Sequence, residues 1–180
     1  MHREKVAMTS LRILELGDAA QLTTLLRENR EHLQPWEPTR TDSFFTEDEQ
    51  ERRARGALAS METGSSVPFV ITADAELLGA LTLNGIVRGA FQSCAISYWI
   101  RADRLREGHA TRAVGLATAY AFERLGLHRV QAETVPENLA SQAVLRKNGF
   151  TPFGVAPKYL KINGRWRDHH LFQLLHDDPR

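Results

Sequence analysis

The sequence predicts an α/β fold, a mixed central sheet of about seven strands flanked by about four helices. Three observations carry that expectation. Segments of period-two or continuous apolar character alternate with segments whose apolar residues recur at three and four positions, the marks of strand and amphipathic helix. Their order along the chain is strand, two helices, three strands, helix, strand, helix, two strands. In the middle, an apolar strand-like run leads through a glycine turn into an alanine-rich helix. A chain of 180 residues, 42% hydrophobic, suits one core, so residues 1–180 are expected to form a single domain with residues 1–9 flexible.

Each element has a local reason. Residues 11–16 set Leu11, Ile13 and Leu14 among polar neighbours, which suits an edge strand. Asp18 with Gln21 approximates a capping box, and Leu22, Leu25, Leu26 and Leu33 form the apolar stripe of the helix that follows, stopped by Pro35 and Pro38. Thr46 with Glu49 opens a charged helix through Arg52, Arg53 and Arg55 that closes at Gly64. Residues 69–72 and 77–84 read as neighbouring strands around a turn at Asp74, and residues 92–100 as a third strand apolar enough to be central. The helix from Gly108 buries Ala110, Ala113, Val114, Ala117 and Ala121 and ends at Gly126. Residues 129–134 form a strand, and residues 138–147 a short helix with Asn138 as N-cap and Gly149 as stop. Residues 150–162 and 166–175 complete the sheet around an Asn163-Gly164 hairpin turn.

Composition excludes several classes. The formal charge of +1 gives no global electrostatic case for nucleic-acid binding, which rests on neutralising many phosphates. The one cysteine, Cys94, rules out an internal disulfide framework and fits a reducing cytosol as a small buried hydrophobe. No apolar run is long enough for a signal peptide or a membrane span, so the expected location is cytoplasmic. His169 and His170 are adjacent, hence on opposite faces of a strand, and no metal site is expected.

The turn Leu105-Arg106-Glu107-Gly108-His109-Ala110-Thr111 has the makings of an anion cradle. The first turn of a helix leaves N–H groups unpaired, the helix dipole adds partial positive charge, and glycine lets a ligand approach the backbone. A dinucleotide-binding fold would place Gly-x-Gly-x-x-Gly in its first strand–helix unit, which this chain does not do. The turn resembles the pyrophosphate-binding turn of the GNAT acetyltransferases, Gln/Arg-x-x-Gly-x-Gly/Ala, with Leu105 departing from the first position. Four further stretches, His32-Leu33-Gln34-Pro35-Trp36-Glu37-Pro38, Val87-Arg88-Gly89-Ala90-Phe91, Pro136-Glu137-Asn138-Leu139-Ala140-Ser141, and Tyr159-Leu160 with Gly164-Arg165-Trp166-Arg167-Asp168-His169, are similar to the RimJ/RimL-type ribosomal-protein alanine N-acetyltransferases.

The resemblance implies a GNAT fold and acetyl transfer from acetyl-CoA, as co-substrate, to the α-amine of a protein N-terminus, with alanine of a ribosomal protein as the family's acceptor. It implies main-chain contacts to the coenzyme from Arg106, Glu107, Gly108, His109, Ala110 and Thr111, and thioester contacts from the strand at Tyr98, Trp99 and Ile100. It also places Asn138 and Ser141 at the start of the helix near the sulfur, where a hydroxyl can stabilise or protonate the departing thiolate. Two alternatives stay open: a small-molecule amine acetyltransferase of aminoglycoside or polyamine type, and a CoA-binding, ribosome-associated protein with little catalysis. Oligomeric state is left as monomer or homodimer.

The base is the gap. RimL-type relatives place a glutamate near the position that Leu160 occupies here, so it does not carry over. Glu37 is the first substitute, with Glu133 behind it. Trp36 and Glu37 sit between Pro35 and Pro38, so an aromatic wall and a carboxylate stand on semi-rigid backbone, suited to a cationic N-terminus. An α-amine, with a reference pKa of about 7.7–8.0 against about 10.4 for lysine, needs only a weak base near neutral pH.

Overall fold

The computed structural model describes residues 8–176. The sheet has seven strands: β1 (Thr9–Ile13), β2 (Val67–Ala73), β3 (Glu76–Val87), β4 (Ser93–Ile100), β5 (Arg129–Thr134), β6 (Thr151–Ile162) and β7 (Arg165–Leu175). Their order across the sheet is β1-β2-β3-β4-β5-β7-β6. Every neighbouring pair is antiparallel except β4 and β5, which run parallel at the centre. The helices are α1 (Ala19–Glu28), α2 (Arg30–Leu33), α3 (Glu47–Glu62), α4 (His109–Glu123) and α5 (Leu139–Lys147).

Side-chain alternation divides the core between the two sheet faces. Cys94, Ile96, Val130, Ala132 and Phe172 pack with Ala113, Val114 and Ala117 of α4 and Leu145 of α5. On the other face Val70, Leu77, Ala80 and Trp99 pack with Leu22 and Leu25 of α1 and Ala54 of α3. Burial pushes the Cys94 thiol up to about 12, which keeps it a protonated core residue.

The turns follow local chemistry. Asp74 and Ala75 (φ +46° and +69°) join β2 to β3, and Asn163 and Gly164 (φ +43° and +77°) join β6 to β7, both in the left-handed pair that suits a two-residue hairpin. Thr46 caps α3 by accepting from the Glu49 N–H, and Asn138 caps α5 by accepting from the Ser141 N–H at 3.0 Å.

Three expectations are corrected. The edge strand begins at Thr9 and ends at Ile13 rather than spanning 11–16, so the expected flexible segment 1–9 does not include Thr9, whose buried hydroxyl bonds the His109 ring at 2.8 Å; residues 1–7 lie outside the described residues. Asp18 does not form a capping box with Gln21. Its backbone is already helical (φ −75°, ψ −17°), and its carboxylate turns back to the Glu15 N–H at 2.8 Å and to the Arg12 guanidinium at 2.6 and 2.8 Å. The first helix breaks at Asn29, leaving Leu33 on the separate α2. There the Asn29 amide donates to Leu25 O at 2.8 Å and accepts from the Ala102 N–H at 2.7 Å, fastening the helix end to the loop after β4.

Glycine is required in β3 where it faces β4. A Cβ on Gly79 would stand 2.0 Å from Trp99 O. Gly79→Ala is therefore expected to destabilise the protein by about 1–3 kcal/mol, the usual cost of overpacking, measured by urea denaturation.

Candidate active site between the parallel strands

The parallel register pairs Ser93 with Arg129, Cys94 with Val130 and Ala95 with Gln131, and stops there. Beyond it β4 stays on β3 as far as Ile100, while β5 stays on β7 as far as Thr134. The two central strands thus part along half their length. Main-chain groups of β4 on that side are left without a strand partner. Carried forward, the register sets Ser97 level with Glu133 and Tyr98 level with Thr134. Glu133, Ser97 and Trp99 lie on the α1/α3 face, and Tyr98 and Thr134 on the α4/α5 face.

At the far end of β4 the chain enters the turn at 105–108. Arg106 (φ +66°) and Gly108 (φ +86°) are both left-handed, and nothing lies within 4 Å of the point where a Gly108 Cβ would stand. The helix ladder begins with the bond from the Arg112 N–H to Gly108 O at 3.0 Å, so the N–H groups of His109, Ala110 and Thr111 precede it. The acidic and imidazole side chains here are occupied with neighbouring residues. His109 is buried, between Thr9 Oγ1 and Glu107 Oε2 (3.0 Å), and Glu107 also pairs with Arg104 at 3.0 Å, which holds its carboxyl below the usual range. Glu76 bridges Arg101 and Arg104 behind the loop. What the turn presents is polarised backbone, able to hold an anion.

On the α4/α5 face the Tyr98 hydroxyl meets Ser141 Oγ at 2.9 Å. Burial pushes the Tyr98 phenol up to about 12, the Ser141 hydrogen bond acting in the opposite sense, so the pair is a protonated donor chain at neutral pH. Sequence reading reached Ser141 and Asn138 but used Tyr98 only for its main chain. The available signal was alternation, which puts Tyr98 on the face of Cys94 and Ile96, toward the helix that Asn138 caps. Trp99 sends its side chain the other way, between the α1 and α2 residues Leu26 and Leu33 and Phe45, and its main chain faces β3, opposite Ala80; Ile100 is buried in the α4-side core and turns its main chain to the gap, so of the two expected contacts only Ile100 is placed to offer one.

On the opposite face the carboxylates differ. Glu37 is half-buried and lies 3.6 Å from Arg40 Nε; burial raises its carboxyl pKa, and Arg40 and then Arg53 act against the rise. Glu133 is likewise raised by burial, and among the described residues its carboxylate has no ion-pair partner. It lies close enough to Tyr159 to raise that phenol by charge, and Tyr159 packs on the buried His169 ring at 5.5 Å. Trp36 is half-exposed beside Glu37, and the Glu37 carbonyl accepts from the Asn163 N–H at 2.9 Å. The loop after α2 and the tip of the β6–β7 hairpin therefore meet. The structure brings together Trp36 with Glu37, and Asn138 with Ser141 and Tyr98, on opposite sides of the sheet. A separate groove of about 460 Å³ runs between β1 and α4, lined by Met8, Phe69, Leu116 and Tyr120, and does not include these residues.

A strand pair that opens at its centre, a helix start aimed at its mouth and polar groups on both sides describe an acyl-transfer site that takes its acyl group from a phosphate-bearing donor. The model of the acetyltransferase (GNAT) domain family matches residues 9–151, and the chain belongs to this family. The probable N-acetyltransferase YjcK of Bacillus subtilis is 36% identical over 93% of this chain and 94% of its own. The [ribosomal protein uS5]-alanine N-acetyltransferase of Escherichia coli is 31% identical over 97% and 93%. The structure of Mycobacterium smegmatis RimJ in complex with CoA-disulfide superposes with a TM-score of 0.92 at 33% identity, covering 94% of this chain and 83% of that one.

The raised Glu133 carboxyl has a consequence for stability. The folded state holds its proton to higher pH than the unfolded state, so ionisation costs stability as pH rises through the folded pKa. Glu133→Gln is expected to melt above the unaltered protein at pH 7–8, with the gap closing below the reference glutamate pKa of about 4.3; thermal melts across pH check this.

Proposed function

We propose that this protein is an acetyl-CoA-dependent N-acetyltransferase that modifies the α-amine of a protein N-terminus, with alanine of a ribosomal protein as acceptor, acting in the cytoplasm as a monomer or homodimer. The observation that carries the reading is the parted β4–β5 pair with groups of opposite use on its two faces, in a chain 31% identical over nearly its whole length to a ribosomal-protein alanine N-acetyltransferase. Acetyl-CoA supplies an activated thioester and a thiolate leaving group. The N–H groups around Gly108, from Arg106 to Thr111, hold its pyrophosphate, and the main chain of Ile100, which faces the gap, meets the carbonyl oxygen. Such preorganised donors typically lower a barrier by about 3–4 kcal/mol each.

Glu133 takes the amine proton and Ser141 returns one to the sulfur, drawing on Tyr98, while Asn138 fixes Ser141 through the helix cap. The ammonium first loses one proton to solvent; the carbon–nitrogen bond then forms as the carbon–sulfur bond breaks, Glu133 takes the second proton from the nitrogen, Ser141 gives one to the thiolate, and the Tyr98–Ser141 pair regains its proton from solvent as Glu133 releases the one it took. Glu37 with Trp36 holds the incoming α-ammonium, because its proximity to Arg40 suits it less to proton removal than Glu133, which has no ion-pair partner among the described residues. An α-amine near its own pKa asks little of such a base, whereas lysine would ask far more.

A panel of peptides starting with alanine, serine and lysine, with free polyamine and aminoglycoside controls, read by mass spectrometry, tests the acceptor class; acetylation of the amines alone overturns it. Gly108→Val fills the open side of the turn and is expected to weaken acetyl-CoA binding at least about tenfold by calorimetry, with an unchanged circular dichroism spectrum. Gly108→Ala, which bears the same left-handed backbone at a cost of about 1–2 kcal/mol, separates strain from blockage.

A further inference from the structure

One buried polar group in the parted region takes no part in the mechanism above. Thr134 ends β5 at 5% exposure, and its hydroxyl oxygen has no hydrogen-bond partner. Most buried hydroxyls are paired, and one left alone bears its full desolvation cost. Nothing in the fold asks for it. Valine has the same branched shape, suits a strand equally well and carries no such cost. The position is what distinguishes this threonine. It stands level with Tyr98 across the gap where β4 and β5 no longer pair, on the same face, beside the helix start that carries Ser141. An unpaired donor at that place is a group waiting for an acceptor that enters the gap.

We propose that Thr134 is a donor-binding residue whose hydroxyl hydrogen-bonds the sulfur of the acyl-CoA beside the Tyr98–Ser141 pair. The inference rests on the functional reading above and adds a third hydroxyl to it. Thr134 keeps its own proton throughout. It donates to a thioester sulfur, a weak acceptor, and then to the thiolate, a strong one, as the carbon–sulfur bond breaks; the proton that finally caps the sulfur comes from Ser141. A hydrogen bond that strengthens along the reaction lowers the barrier rather than merely tightening binding.

The test uses Thr134→Val and Thr134→Ser in the full chain, with CoA and desulfo-CoA as calorimetric probes and steady-state acetylation of an alanine-starting peptide. Thr134→Val is expected to weaken CoA about 2- to 10-fold while leaving desulfo-CoA unchanged, and to lower kcat by a similar factor, the range set by the usual net value of one hydrogen bond. Thr134→Ser is expected to restore both. Because the unpaired hydroxyl is removed, the Val variant should also keep or raise the melting temperature, which excludes misfolding as the cause. Equal loss of CoA and desulfo-CoA, unchanged kcat and affinity, or failure of Ser to rescue would overturn the proposal. Failure of the unaltered protein to bind CoA would instead remove the functional reading and this inference with it, whereas an active unaltered protein with an indifferent Val variant removes only Thr134.

Discussion

The site depends on one interrupted interaction, the hydrogen-bonded pairing of β4 with β5. It lasts from Ser93–Arg129 to Ala95–Gln131, long enough to fix both strands in one sheet, and then ends. What maintains the opening is that each strand has a better-paired neighbour on its outer side, β3 for β4 and β7 for β5, so neither is free to swing across. The Gly79–Trp99 contact shows how tightly the outer pairing is drawn on one side. Parallel strands also require a crossover, and that crossover is α4, whose first turn falls by geometry at the end of β4.

The opening gives the sheet two chemically distinct sides. Alternation along β5 sends Glu133 to one face and Thr134 to the other, and along β4 sends Ser97 and Tyr98 apart in the same manner. The plane of the sheet separates Glu133 from the Tyr98–Ser141 pair, and burial raises both the Glu133 carboxyl and the Tyr98 phenol, so each holds its proton to higher pH than it would in water.

The sequence disclosed what is decided locally. Asn138 and Ser141 fall at the helix start because cap and capped N–H are three residues apart, and β5 is bounded as the pattern indicates, because apolar alternation and a following proline are short-range signals. The misreadings were long-range. Asp18 satisfies the local form of an N-cap, yet an arginine on β1 holds its carboxylate; Asn29 interrupts an apolar stripe in order to fasten a loop 73 residues away. The proline-braced loop that carries Glu37 is legible in the sequence, whereas only the fold puts Arg40 at 3.6 Å from that carboxylate and leaves Glu133 without an ion-pair partner among the described residues. The Tyr98–Ser141 contact joins residues 43 apart, and the position of Thr134 opposite Tyr98 follows from a strand register that no local pattern encodes.

The bond from the Asn163 N–H to the Glu37 carbonyl is a main-chain contact at both ends. It closes the rim on the α1/α3 side without asking anything of the side chains that face inward there, so residues at 36–40 and along the hairpin are free to change while the closure persists. The matched family region ends at residue 151, just where that hairpin begins. A main-chain tie persists through substitution of the side chains on either side of it, so this rim can change its chemistry without losing its closure.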